Sequence, residues 1–77
     1  MFQTKIILRN VNDVQEFVKI AEQCNFEILV AKNHFRFTVS GKSLLGMIAI
    51  LGKEYLDVVY DGENSKFTSI LNKFQIA

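Results

Sequence analysis

The feature that most constrains this chain is how the spacing of its apolar residues changes along 77 positions. Short runs with an apolar residue at every second position alternate with stretches in which apolar residues recur every three or four positions. The first spacing indicates half-buried strands, and the second indicates amphipathic helices. Together they predict strands at residues 2–9, 26–31, 35–40 and 55–60, and helices at residues 13–24, 44–51 and from residues 63–65 onward. The predicted order of elements is βαββαβα.

A four-stranded antiparallel sheet with helices on one side is the most economical way to bury these apolar faces. We therefore predict an α+β fold, a βαββαβα open-faced sandwich in which three helices cover one face of the sheet. The chain is 49% apolar, which allows a real core in a single domain spanning residues 1–77. Alternation predicts that Phe35, Phe37 and Val39 lie in this core. Helical spacing places the only cysteine, Cys24, there as well.

Residues that favour helix ends flank two of the predicted helices. Asn12 followed by Gln15 resembles a capping pair at the start of the first helix. Ser43 is suited to cap the helix predicted at residues 44–51, and Gly52 is suited to end it.

The composition excludes several classes of function. A formal net charge of +1 gives no field that would attract nucleic acid or an acidic membrane. A single cysteine cannot form an internal disulfide, which is typical of a reducing compartment. The N-terminal residues MFQTK do not resemble a signal peptide, and the longest apolar run, residues 44–51, is too short to span a bilayer. We expect a soluble cytoplasmic domain with no nucleic-acid or membrane partner.

The candidates for catalytic or metal-binding groups include one histidine, one cysteine and eight Asp or Glu residues. The only histidine, His34, lies in a predicted turn at residues 32–34, where we expect a surface residue without a catalytic function. No set of His, Cys, Asp and Glu residues has the spacing of metal ligands, so we predict no metal site and no cofactor.

The Gly-Lys-Ser at residues 41–43 is not a phosphate-cradling P-loop, because Arg36 stands where that motif needs an earlier glycine. A serine at the start of a helix is nevertheless a favourable place for a phosphate, since free amides and the helix dipole stabilise negative charge there. The alternative is that Ser43 is only a helix cap.

The helix predicted at residues 44–51 is apolar on more than one side. Its core-facing side is predicted to carry Met47, Ile50 and Leu51. The sector beside and opposite that side contains Leu44, Leu45, Ile48 and Ala49. A short helix on a sheet buries one side, so part of this sector is expected to face a partner. The alternative is a helix that is covered on both sides.

Three segments resemble the family of HPr, the histidine-containing phosphocarrier of the bacterial phosphotransferase system. GKSLLGMIAILG and the following LDVVYDGEN resemble the Lys-Ser-Ile-Met-Gly-Val-Met-Ser-Leu-Gly and Ala-Asp-Gly-Ala-Asp stretches of that family. QEFVKIA resembles its first helix, and βαββαβα is its order of elements. The resemblance covers nearly the whole chain. Its most specific part is the segment at residues 42–52, with the Asp-Gly turn at residues 61–62 behind it.

The resemblance has direct implications for the phosphoryl-carrying site. In HPr a histidine at the start of the first helix carries the phosphoryl group, and here Asn10 occupies the expected histidine position. Asn12 stands in place of the family arginine, and Asp13 in place of the proline. An asparagine amide is not a nucleophile that accepts phosphoryl groups. The resemblance therefore implies a non-catalytic protein that is not an enzyme.

The resemblance also implies how such a protein acts. Ser43 corresponds to the serine that a dedicated serine kinase phosphorylates in HPr-like proteins of Gram-positive bacteria. Leu44, Leu45 and Ile48 then form the exposed apolar patch, which binds a transcriptional regulator of carbon catabolite repression together with the phosphoserine. Both partners are expected to contact the helix at residues 44–51.

Three functions are compatible with these residues. The first is an HPr-like regulatory or adaptor protein, related to the phosphotransferase system and to carbon regulation, that acts through Ser43 and its helix. The second is a phosphocarrier that transfers phosphoryl groups through an unconventional residue. The third is an interaction module that associates with itself or docks to a partner without phosphorylation.

Overall fold

The computed structural model describes residues 1–32, 35–52 and 54–75. It confirms the predicted order of elements. They are β1 (Phe2–Ile6), α1 (Val11–Ala21), β2 (Ile28–Lys32), β3 (Phe37–Ser40), α2 (Leu44–Ala49), β4 (Leu56–Tyr60) and α3 (Ser65–Phe74).

The four strands form one antiparallel sheet in the order β1-β4-β2-β3. Val58 in the centre of β4 lies opposite Thr4 of β1 and Val30 of β2, and Ile6 lies opposite Leu56. Directly opposed residues point to the same face of a sheet. The apolar members of these pairs are buried, so this is the face that the helices cover. The predicted α+β open-faced sandwich is confirmed.

Three aromatic rings, one of them buried and two half-buried, pack around the buried Phe67. The ring centre of Phe67 lies 5.8 Å from that of Phe17, 6.0 Å from that of Phe26 and 5.2 Å from that of Tyr60. All three pairs are edge-to-face, the arrangement that the ring quadrupole favours. On α3 the predicted apolar side is buried as a whole, comprising Phe67, Ile70, Leu71 and Phe74.

The first helix begins earlier than the sequence predicts. Asn10, not Asn12, is the N-cap, and its side-chain oxygen accepts a hydrogen bond from the Asp13 amide at 2.9 Å. The Asp13 carboxylate in turn accepts a hydrogen bond from the Arg9 amide at 3.0 Å. The prediction of Asn12 as cap was therefore wrong by two residues. The helix ends at Ala21, before the predicted end at residue 24.

Phe35 and Phe37, both predicted to be buried, are exposed, which corrects the sequence interpretation. Phe35 precedes the strand with a left-handed φ of 67° and is 49% exposed. Phe37 shares the helix-facing side of the sheet with Val39, yet it is 56% exposed. The reason is its place at the end of an edge strand. There it shares a shallow cavity with Ala49 and Ile50, at the far end of a helix of only six residues.

Other predictions concern shorter stretches of the chain. Cys24 is buried, as predicted. The second helix ends at Ala49, before the Gly52 that was predicted to end it. The prediction for His34 lies outside the described residues. In the described ranges no helix has the length and hydropathy that crossing a bilayer requires.

Candidate functional site

The candidate site begins at Ser43, which caps α2 as predicted. Its hydroxyl oxygen accepts a hydrogen bond from the Gly46 amide at 3.1 Å, and its carbonyl accepts one from the Met47 amide at 2.9 Å. The backbone of Ser43 is extended, with φ −99° and ψ 111°, which is the usual conformation of an N-cap residue. The residue is exposed.

Removing this cap gives a direct measure of its contribution to stability. We expect Ser43→Ala to lower the free energy of unfolding by about 1 kcal/mol, because the Gly46 amide loses its acceptor. Ser43→Asp, which keeps an acceptor at the same position, is expected to stay close to the parent. Urea unfolding, monitored by circular dichroism, measures the stability of both variants. An unchanged midpoint for Ser43→Ala would contradict a stabilising cap.

The lysine before Ser43 is held by the loop that follows α1. The Lys42 ammonium donates a hydrogen bond to the Cys24 carbonyl at 2.8 Å. Burial raises the pKa of the Cys24 thiol, and the positive charge of Lys42 opposes that rise. Lys42 therefore joins two segments of the fold.

Gly41 is buried where the turn after β3 meets the core. Its amide donates to the Ile28 carbonyl at 2.8 Å. A Cβ at this position would lie 2.6 Å from the Ile28 Cγ2 atom and 3.3 Å from the Phe17 Cε1 atom. The Gly-Lys-Ser at residues 41–43 thus consists of a packing glycine, an anchoring lysine and a capping serine.

One side of α2 is apolar and exposed, and we call Leu44, Leu45 and Ile48 the α2 face. Leu45 is 82% exposed, while the other two are just under 40% exposed. Met47 on the opposite side is fully buried and Ile50 nearly so. The predicted division of this helix between core and surface agrees with these exposures, except that Leu51, predicted on the core side, lies beyond α2 and is half-buried. Binding of a partner to the α2 face stays a prediction.

No charged side chain belongs to α2, whose sequence is LLGMIA. Ser43 directly precedes Leu44 and is the polar residue nearest to the α2 face along the chain. Lys42, one residue further away, is anchored to the Cys24 carbonyl. A phosphate on Ser43 would place its charge beside the exposed leucines and next to the free amides of the first helical turn.

The position expected for the phosphoryl-carrying histidine has a structural function instead. The Asn10 side-chain oxygen already accepts the capping hydrogen bond from Asp13. Asp13 brings a carboxylate to the same helix start, and a carboxylate repels an approaching phosphate. The exposed Asn12 supplies no positive charge. This arrangement caps α1, and the Asn10 amide supplies no nucleophile at the position of the family histidine.

A second group of polar residues was not singled out by the sequence analysis. Glu16, Lys19, Lys66 and Lys73 line a cavity of about 440 Å³ between α1 and α3. Lys66 and Lys73 are seven residues apart, which places them on one side of a helix, and this spacing is the signal that could have found them. Over residues 1–32, 35–52 and 54–75 no group of three or more His, Cys, Asp or Glu residues is arranged to hold a metal.

No protein-family model matches this chain, and it has no match among curated proteins. The resemblance to HPr therefore rests on the sequence segments quoted above, and it remains a hypothesis.

Proposed function

We propose that this domain is a non-catalytic regulatory adaptor of HPr type, related to the phosphotransferase system and to carbon regulation. It binds a protein partner through the α2 face, and phosphorylation of Ser43 controls that binding. The observation that carries the proposal is the exposed Leu45, which with Leu44 and Ile48 lies directly behind an exposed serine.

Burial of the α2 face by a partner would be energetically favourable. Leu45 leaves most of its side chain in water, and removing apolar surface from water contributes about 25 cal/mol per Å². Leu44 and Ile48 lie four residues apart and so on the same side of the helix. Such a short apolar ridge is suited to an apolar groove in another protein, the arrangement by which helices dock to their receptors.

Phosphorylation of Ser43 would change the site through electrostatics. A phosphate adds roughly −1.5 to −2 charge at neutral pH, and the start of a helix tolerates that charge well. The Ser43 hydroxyl now accepts from the Gly46 amide, and phosphate oxygens can replace it as acceptors. A partner with arginine or lysine beside its apolar groove would then recognise both the phosphate and the leucines. A serine kinase and a transcriptional regulator are the partners that the resemblance to HPr predicts.

The phosphocarrier alternative is not favoured. Its reaction needs a nucleophile that accepts the phosphoryl group and a positive charge that stabilises it. The amide of Asn10 is not such a nucleophile, and Asp13 adds negative charge at the same helix start.

Incubation with an HPr serine kinase and ATP tests the regulatory part of the proposal. We expect the intact mass to increase by one phosphate in the parent and to stay unchanged in Ser43→Ala. An unmodified parent would overturn phosphorylation control and leave docking to be tested separately. If the parent and Ser43→Ala gain the same mass, the kinase modifies a residue other than Ser43.

Docking through the α2 face is tested by a matched pair of exposed leucines. We expect Leu45→Gln to raise the Kd for a purified regulator of carbon catabolite repression by about 30-fold, the effect of losing a central apolar contact worth about 2 kcal/mol. Leu29, which is 40% exposed, lies on the face of the sheet away from the helices. Leu29→Gln is expected to leave the Kd unchanged.

Biolayer interferometry with the Ser43-phosphorylated domain measures the Kd values of Leu45→Gln and Leu29→Gln. Equal Kd values for Leu45→Gln and the parent would contradict docking through α2. If the unphosphorylated parent binds as tightly as the phosphorylated form, the domain is an interaction module that does not depend on phosphorylation.

A further inference from the structure

A groove between α1 and α3 combines an apolar floor with a basic rim. Ile70, almost fully buried, and the half-buried Ile20 form the floor. Lys19, Lys66 and Lys73 line the rim together with Glu16. We call this surface the α1–α3 groove. Its volume of about 440 Å³ lies within the range of roughly 300–1,000 Å³ that is usual for ligand pockets.

The charges of the groove do not balance. The Lys73 ammonium lies 2.9 Å and 2.8 Å from the two carboxylate oxygens of Glu16, so these two charges compensate each other. Lys19 and Lys66 lie on the same rim, and among the described residues that line the groove Glu16 is the one carboxylate. The groove therefore carries two excess positive charges above an apolar floor. None of its residues belongs to α2, so it is separate from the α2 face.

We propose that the α1–α3 groove binds an acidic polypeptide segment. The segment inserts one aliphatic side chain between Ile20 and Ile70, and its carboxylates pair with Lys19 and Lys66. This assignment follows from charge complementarity, since only an occupant that is both apolar and anionic satisfies the floor and the rim together. The inference goes beyond the proposed function, because it gives the domain a second binding surface with a partner of different chemistry.

Nucleic acids and membranes fit the groove less well than an acidic polypeptide. None of the described residues that line the groove is aromatic, so they offer bases no ring to stack on. Anionic membranes attract clusters of about 4–8 basic residues, while the groove has three lysines and one of them is paired with Glu16.

Fluorescence anisotropy on the full chain tests the proposal with a defined probe. The probe is a labelled peptide of twelve residues with leucine at every third or fourth position and glutamate elsewhere. A counterpart with lysine in place of glutamate is its control. We expect saturable binding of the glutamate peptide that weakens with added salt, and at least tenfold weaker binding of the lysine peptide.

Charge reversal assigns the binding to the groove. We expect Lys66→Glu and Lys19→Glu each to raise the Kd for the glutamate peptide at least fivefold. Arg36→Glu makes the same change of net charge at an exposed position outside the groove, and it is expected to change the Kd by less than twofold. Circular dichroism checks that all variants are folded, and Lys66→Gln and Lys19→Gln serve as milder replacements for any that are not.

Several outcomes would overturn the proposal. These are no saturable binding of the glutamate peptide, equal binding of the lysine peptide, and equal effects of Lys66→Glu and Arg36→Glu. Binding to phosphatidylglycerol vesicles without binding to the peptide would assign the groove to a membrane surface instead.

Discussion

Replacing Phe17 by alanine is expected to lower the free energy of unfolding by about 3–5 kcal/mol, the usual cost of removing a buried aromatic side chain. The same replacement at Phe37 is expected to change it by less than about 0.5 kcal/mol, as is usual for surface positions. The two positions carry the same residue type and differ in burial, since Phe17 is fully buried and Phe37 is 56% exposed.

The large effect at Phe17 has two physical causes. Its ring packs edge-to-face against Phe67 at 5.8 Å between ring centres, and alanine removes that contact. Its edge also lies 3.3 Å from the place where a Cβ on Gly41 would be, so the ring fills the space beneath the turn that leads to α2. Alanine would leave a cavity at that point, and a close-packed core closes such a cavity only in part.

Urea unfolding measures the free energy of unfolding of Phe17→Ala and Phe37→Ala. A domain of this length has a total stability of roughly 4–12 kcal/mol, so Phe17→Ala removes a large share of it. Phe17→Leu, which keeps an apolar side chain, provides a milder variant if the alanine variant does not fold. Equal losses for Phe17→Ala and Phe37→Ala would contradict the burial assigned to these two residues.

The sequence predicted the buried side correctly for elements that pack a single apolar face against the core. The helical spacing of Phe67, Ile70, Leu71 and Phe74 was enough to predict the buried side of α3. Alternation was also right about the side of the sheet to which Phe37 points. Burial did not follow, because it depends on whether a neighbouring element extends over the end of an edge strand. Spacing within a strand carries no information on that point.

The start of α1 shows a different limit of sequence interpretation. Asn10 with Asp13 and Asn12 with Gln15 have the same spacing, and both pairs are compatible with a cap. Local rules cannot rank them. The structure selects Asn10, where the Asp13 carboxylate also accepts from the Arg9 amide.

The two candidate binding surfaces differ in how far the sequence could reveal them. The α2 face is continuous in the chain, so an apolar excess in one short helix was sufficient to predict it. The α1–α3 groove combines Lys19 of one helix with Lys66 of another. These residues are far apart in sequence, and only the packing of the helices brings them to one cavity.

Gly41→Ala is expected to lower the free energy of unfolding by about 1–2 kcal/mol, because overpacking costs about 1–3 kcal/mol and outweighs the gain of about 0.4–1 kcal/mol from a less flexible unfolded chain. The added Cβ would lie 2.6 Å from Cγ2 and 3.2 Å from Cβ of Ile28, a branched and fully buried side chain, so core atoms must shift to relieve the contact. Gly52→Ala is the matched control. Its Cβ would approach only the end of the flexible Lys32 side chain, at 3.0 Å, so we expect unchanged or slightly higher stability.

The effect of Gly41→Ala is expected to reach the candidate site, because the turn that must shift continues directly into Lys42 and Ser43. The effect on the helix cap is measured by NMR hydrogen exchange of the Gly46 amide, which donates to the Ser43 hydroxyl at 3.1 Å. We expect faster exchange of this amide in Gly41→Ala than in Gly52→Ala. Faster exchange would show that the glycine of the Gly-Lys-Ser positions the helix cap through packing. A Gly41→Ala variant as stable as Gly52→Ala, with the same exchange at Gly46, would contradict that function of Gly41.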